Sequence, residues 1–242
     1  MSALLGTIVN AAAVVAGSLA GLVLPRMPDR MREVVMHGLG LAILFIGLSM
    51  GLKTQNFILV IISLAIGGIA GSLLRLDELL DWAGRRLESA VKKVSAGRGA
   101  GAVAEGFVSA TLLFCVGAMA VIGSIEGALR GDHTVLYTKS LLDGISSMLL
   151  AAALGIGVIF SAAAVLIYQG SIALSAKYIT SFLSAAELDL VVTEVSAAGG
   201  ILVAAIGLGV LNIKKINVVN LLPSIIVIAV LTLINNRWGF LG

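Results

Sequence analysis

Residues 136 to 170 form a stretch of almost unbroken apolar sequence, yet Lys139, Ser140, Asp143, Ser146, Ser147 and Ser161 sit inside it or at its edge. Charged and polar groups are costly in hydrocarbon, so within a membrane they face a bundle interior or a water-filled cavity. The stretch therefore marks the polar heart of an integral-membrane protein. It constrains what every other segment can be.

Composition agrees. Of 242 residues, 59% are hydrophobic and 12% charged, where soluble domains carry about 25% charged residues. Several apolar runs reach the roughly 20 residues needed to cross a bilayer. The 29 glycines against 3 prolines suit helices that approach closely through small residues. The lipid bilayer is thus the first partner, and a formal charge of +3 makes no case for nucleic acid. Cys115 is the single cysteine, so no disulfide forms within the chain, and it reads as a buried, inert thiol. The first apolar run, Ala3 to Leu24, has no basic leader and is followed by more spans, which predicts a retained helix rather than a signal peptide.

The pattern predicts an all-α polytopic membrane protein of about eight transmembrane helices, near 3–24, 35–52, 57–75, 105–122, 136–154, 156–169, 189–211 and 218–235. The fifth and sixth are divided at Gly155-Ile-Gly157. Pro25 and Pro28 interrupt a basic loop after the first. Residues 76–94 are amphipathic, with Leu76, Leu79, Leu80, Ala83 and Leu87 opposite Asp77, Asp81, Arg85, Arg86 and Lys92. That is a helix for the membrane surface or a partner helix, and a glycine-rich linker to residue 102 follows. Residues 170–187 read as a short interfacial or re-entrant segment.

Charge sets the orientation. With eight spans and the N-terminus outside, eleven basic residues (Arg26, Arg30, Arg32, Arg75, Arg85, Arg86, Lys92, Lys93, Arg98, Lys214 and Lys215) lie inside, against Lys53, Arg130, Lys177 and Arg237 outside. This is the positive-inside bias, and it predicts that the N-terminus is outside and these loops are cytoplasmic.

The two ends of the chain also resemble each other. Asn10-Ala-Ala-Ala-Val14 matches Ser161-Ala-Ala-Ala-Val165, and Gly17-Ser-Leu-Ala20 matches Gly170-Ser-Ile-Ala173. Gly40 with Ile46-Gly47-Leu48 matches Gly200 with Ile206-Gly207-Leu208. Residues 1–75 and 156–242 then read as three-helix repeats of inverted topology. Residues 76–102 form a cytoplasmic helix and linker between them, and 103–155 the central spans. Inverted repeats with broken helices are an architecture of secondary transporters; ordinary glycine-rich packing is the plainer alternative.

Lys139 and Asp143 are four residues apart and share a helix face. Lys139 can snorkel to the interface on its long stem, whereas Asp143 needs a partner, a cavity or a proton. Either the two form a purely structural pair or they belong to a site. Asn10, Gln169 and Glu194 fall in the same outer half of the membrane. The expected substrate- or ion-binding set is Asn10, Lys139, Ser140, Asp143, Ser146, Ser161, Gln169 and Glu194, although each serine alone could bond a carbonyl of its own helix. His37 and Glu105 read as ordinary helix-end residues. No catalytic pattern, metal-ligand cluster or phosphate loop is present, so neither an enzyme nor a cofactor is expected.

Several stretches resemble an uncharacterised bacterial integral-membrane family, the YdfK- or YqgA-like proteins: Gly6-Thr-Ile-Val-Asn10, Phe114-Cys-Val-Gly117, Lys139-Ser-x-x-Asp143-Gly144, Gly155-Ile-Gly-Val158 with Ser161, Tyr168-Gln-Gly170 and Asn220-Leu-Leu-Pro223. The resemblance spans nearly the whole chain. It implies a bacterial inner-membrane protein and carries over no secure function. Three functions remain open. One is a transporter of a small polar solute or ion, and another a passive channel with the same lining. The third is a non-transporting scaffold or sensor acting through residues 76–94. Glycine faces on the first and third spans also permit a homodimer.

Overall fold

The computed structural model describes residues 2–23, 29–79, 82 and 100–239. The prolines of the first loop and most of the amphipathic segment lie outside the described residues. Among the described residues all regular structure is helical: α1 Leu5–Val23, α2 Asp29–Gly51, α3 Phe57–Leu73, α4 Ala100–Cys115, α5 Ala118–Arg130, α6 Thr134–Leu154, α7 Ser161–Phe182, α8 Ala185–Val210 and α9 Ser224–Trp238. Short 3-10 turns at Ser2–Leu4, Ile156–Phe160 and Val219–Leu221 complete it.

Local chemistry sets the ends. The Asn56 side chain accepts from the backbone N–H groups of Ile58 and Leu59 and starts α3. Ser184 and Glu187 form a capping box at the head of α8. The Asp132 carboxylate accepts the Thr134 N–H at 3.0 Å before α6. That backbone hydrogen bond holds the exposed Asp132 carboxyl below its ordinary range. Gly155 (φ 87) ends α6, a left-handed conformation that glycine adopts without the Cβ penalty. The expected division at Gly155–Gly157 is therefore a real break.

Two segments differ from expectation. The predicted span 105–122 is two helices, α4 and α5, bent by 58° across Cys115–Met119. The expected interfacial piece at 170–187 is largely a continuation of α7 to Phe182. Its Ser171, Lys177 and Tyr178 are exposed on the helix surface, so they do not interrupt it.

Among the described residues four helices are long and apolar enough to cross a membrane, Leu5–Val23, Ile156–Phe182, Ala185–Val210 and Val219–Trp238, and the bent α4–α5 pair makes a fifth if it is one span. Two shorter apolar helices are His37–Gly51 and Phe57–Leu73. At 21 residues α6 is long enough, but Lys139, Asp143 and its serines and threonines dilute its apolar character.

The helices sort into two compact units. The first holds α1, α4, α5, α6 and α7 up to Ile179; the second holds α2 from Glu33, α3, α8 and α9. In the first, α1 and α6 run parallel. Gly6 meets Leu136 and His133, Gly17 meets the Gly144 carbonyl and Ser147, and Gly21 meets the Met148 carbonyl. Val14, Leu112, Phe114, Leu136, Val158 and Val165 are buried in this unit.

In the second unit α2 and α8 run antiparallel with their backbones touching. Gly40 meets Leu211, Leu44 meets Gly207, Gly47 meets Gly200 and Ala204, and Gly51 meets Ile201. A side chain at Gly47 or Gly207 would overlap the opposing backbone. Antiparallel to α3, the turn before α9 and the head of α9 bring Asn220 to Gly71 and Ser224 to Gly67. Leu59, Val60, Ala197, Ala198 and Ile228 form the shared core. The glycine faces of α1 and α3 are thus filled from within the chain, by α6 and by the start of α9.

Candidate functional site

The site is built on α6, where polarity runs opposite to that of a soluble helix. Lys139 and Asp143 are 7% and 6% exposed, whereas Leu141, Leu142 and Ile145 on the other face are 66%, 53% and 50% exposed. In lipid this is the arrangement that satisfies both kinds of group. Lys139 does not snorkel toward the start of the helix. Its ammonium turns one turn further in and donates to both carboxylate oxygens of Asp143, at 2.9 and 2.7 Å. From α1, the Asn10 amide donates to Asp143 Oδ2 at 3.0 Å. Two side chains, one of them 133 positions away in sequence, close on one carboxylate.

The triad leaves hydrogen-bonding capacity unused. Asn10 and Thr7 are fully buried one turn apart on α1, and Asn10 reaches across to Asp143 of α6. Asn10 Oδ1 and Thr7 Oγ1 have no hydrogen-bond partner. Gln169, also fully buried, has neither amide atom bonded. Thr111 Oγ1, Ser18 Oγ and His133 Nδ1 in the same unit are likewise unbonded. Buried polar groups in folded proteins are nearly always satisfied, so such a concentration calls for an explanation. Cys115, buried at the end of α4, lies close enough to Lys139 and Asp143 to feel both charges, and Tyr168 of α7 feels Cys115 in turn. Parts of α1, α4, α6 and α7 therefore share one neighbourhood.

The other expected residues divide clearly. The Ser140 hydroxyl donates to the Leu136 carbonyl at 2.7 Å and Ser161 to the Val158 carbonyl at 2.7 Å. Both spend their hydroxyl on their own local backbone. Ser146 is half-buried on α6. Glu194 belongs to the second unit, 1% exposed. There its carboxylate accepts the Gln55 N–H at 2.7 Å and the Thr54 hydroxyl. Thr54 accepts in turn from the Asn56 N–H at 3.1 Å. Glu194 thereby pins the turn between α2 and α3 just where Asn56 caps α3.

Sequence reasoning did not single out Thr7. The available signal was its spacing, three residues before Asn10 on the same helical face.

An all-helical chain that turns leucines outward and an ion pair inward, on helices long enough to cross a bilayer, is an integral membrane protein. The chain belongs to the family described as "Protein of unknown function (DUF554)", whose model matches residues 5–233. It is 36% identical over 241 residues to the uncharacterized membrane protein YdfK of Bacillus subtilis (strain 168), covering 97% of this chain and 98% of that one. It is 28% identical over 235 residues to the uncharacterized protein YqgA of Escherichia coli (strain K12), covering 97% and 98%. No solved structure matches. The resemblance carried by Asn10, Lys139-Ser-x-x-Asp143 and Asn220-Leu-Leu-Pro223 is thus borne out as family membership.

Proposed function

We propose that the chain is a transporter of a small polar solute or ion in the bacterial cytoplasmic membrane, N-terminus outside, with its site on α1, α6 and α7. The observation that carries the reading is the Asn10–Asp143–Lys139 triad, enclosed with unbonded polar atoms on α1. A purely structural pair needs no such surplus, because each unsatisfied buried group costs stability. Solute hydrogen bonds would use it.

The repeat supports the same reading. Gly47 of α2 and its sequence match Gly207 of α8, with Gly200, stand at close backbone approaches in one antiparallel seam, and Gly40, the match of Gly200, packs against the Leu211 side chain at its end. Copies of inverted topology pack in this way, and alternating access would move one repeat against the other. The matches between α1 and α7 lend less: Gly17 sits against the α6 backbone, whereas a side chain at Gly170 would meet only Leu4, at 3.9 Å. The excess of basic residues on the expected inner loops supports the orientation.

The test is uptake of labelled small polar solutes into proteoliposomes. A transporter gives saturable flux that Asp143→Asn abolishes; linear flux indicates a channel, and absence of flux with every solute refutes both.

A further inference from the structure

We infer that the solute is a small zwitterion of the α-amino-acid kind, bound by opening the Lys139–Asp143 pair and engaging each half. The inference rests on the transport-site reading and adds the substrate's charge pattern. The argument is one of charge balance. The pair is neutral, since one ammonium bonds one carboxylate with both groups buried. A monovalent cation taking Asp143 would strand the Lys139 charge, and an anion taking Lys139 would strand Asp143. A stranded charge in a low-dielectric interior is strongly disfavoured. A zwitterion replaces one ion pair by two and keeps the site neutral.

Placement of the unbonded atoms agrees. Asn10 already touches Asp143 through its amide nitrogen, which leaves Oδ1 as an acceptor beside the carboxylate. A solute ammonium can therefore donate to both. Thr7 lies one turn earlier on α1, and α1 runs parallel to α6 with Gly6 against Leu136 and Asn10 against Asp143. Thr7 is thus at the level of Lys139, where its hydroxyl can donate to a solute carboxylate that the ammonium also holds. The step between levels is about 4.5 Å along α1 and about 6 Å along α6 at 1.5 Å per residue. That suits two charged groups one carbon apart with a hydrogen bond on either side.

The experiment is thermal unfolding of the purified full chain in detergent. The ligands are the proteinogenic L-amino acids, with ethylamine and propionate as single-charge controls. At least one amino acid is expected to raise Tm saturably, on the order of 5 °C at a hundredfold excess over Kd, with neither control doing so. Thr7→Val removes an unbonded hydroxyl and keeps the ion pair, so it folds as the parent does and is expected to weaken that amino acid's affinity about tenfold. A shift with ethylamine or propionate as large as with any amino acid overturns the inference. So does the absence of a shift across the whole panel, or unchanged affinity in Thr7→Val. Amino-acid binding without flux would sink the transport reading and leave the zwitterion site standing. Flux of a solute lacking either charge would do the reverse.

Discussion

The two units solve the same problem in opposite ways. Each has a seam between two long helices, and each buries a carboxylate. Between α2 and α8 the backbones touch through Gly47, Gly200 and Gly207. The nearby carboxylate, Glu194, is matched to the Gln55 N–H and the Thr54 hydroxyl. Between α1 and α6 the carboxylate of Asp143 is also paired, but Thr7, half of Asn10 and, on α7, all of Gln169 are left without partners. Where helices lack a strong hydrophobic drive to associate, small residues and satisfied polar bonds hold them together. The second unit also holds two unbonded hydroxyls, Ser224 Oγ and Thr232 Oγ1, but its carboxylate stands among matched donors, whereas in the first an unbonded amide oxygen of Asn10 belongs to the side chain that bonds Asp143. This contrast sets a carboxylate that builds a turn apart from one whose bonded neighbour keeps an unbonded polar atom.

The largest expected effect strikes the polar seam. Asp143→Ala leaves the Lys139 ammonium buried and alone and should cost about 3–5 kcal/mol, measured by thermal unfolding in detergent. Lys139→Met combined with Asp143→Leu should recover most of that stability while giving no uptake. Next comes the glycine seam. Gly47→Val drives a branched side chain into the Ala204 backbone and should cost about 1–3 kcal/mol. Gly38→Ala on the same helix meets nothing within 4 Å and should be neutral or slightly stabilising. Glu194→Gln retains one acceptor for the α2–α3 turn and should cost about 1–2 kcal/mol; uptake per folded molecule should match the parent's. Ser140→Ala and Ser161→Ala should be smallest. Each should fall below about 0.6 kcal/mol, the average for interhelical hydrogen bonds in a membrane, because their hydroxyls serve only local carbonyls.

Much of this was legible in the chain itself. The four-residue spacing of Lys139 and Asp143 already put them on one face, and Asn10 fell in the same outer half of the membrane without being named as the partner of Asp143. The direction of the Lys139 side chain was not legible, since the same stem reaches either outward to the interface or inward to Asp143. Glu194 looked like a site residue because its partners, Thr54 and Gln55, lie 140 and 139 positions away in a turn with no motif. The break after Cys115 hid because Gly117 is one glycine among 29, most of which serve close packing. The continuation of α7 hid because Lys177 and Tyr178 read as a polar interruption when they are only an exposed face. Glycine faces carry the same ambiguity, for spacing alone does not say whether the helix filling them is the chain's own.

The claim that an aqueous solute reaches this interior is tested most directly by accessibility at Thr7. In a Cys115→Ala background, Thr7→Cys and Leu142→Cys are exposed in native membranes to a membrane-impermeant thiol reagent. Thr7→Cys should react from the aqueous phase, and Leu142→Cys, on the outward apolar face of α6, should not. An inert Thr7→Cys beside a reactive Leu142→Cys would contradict the account.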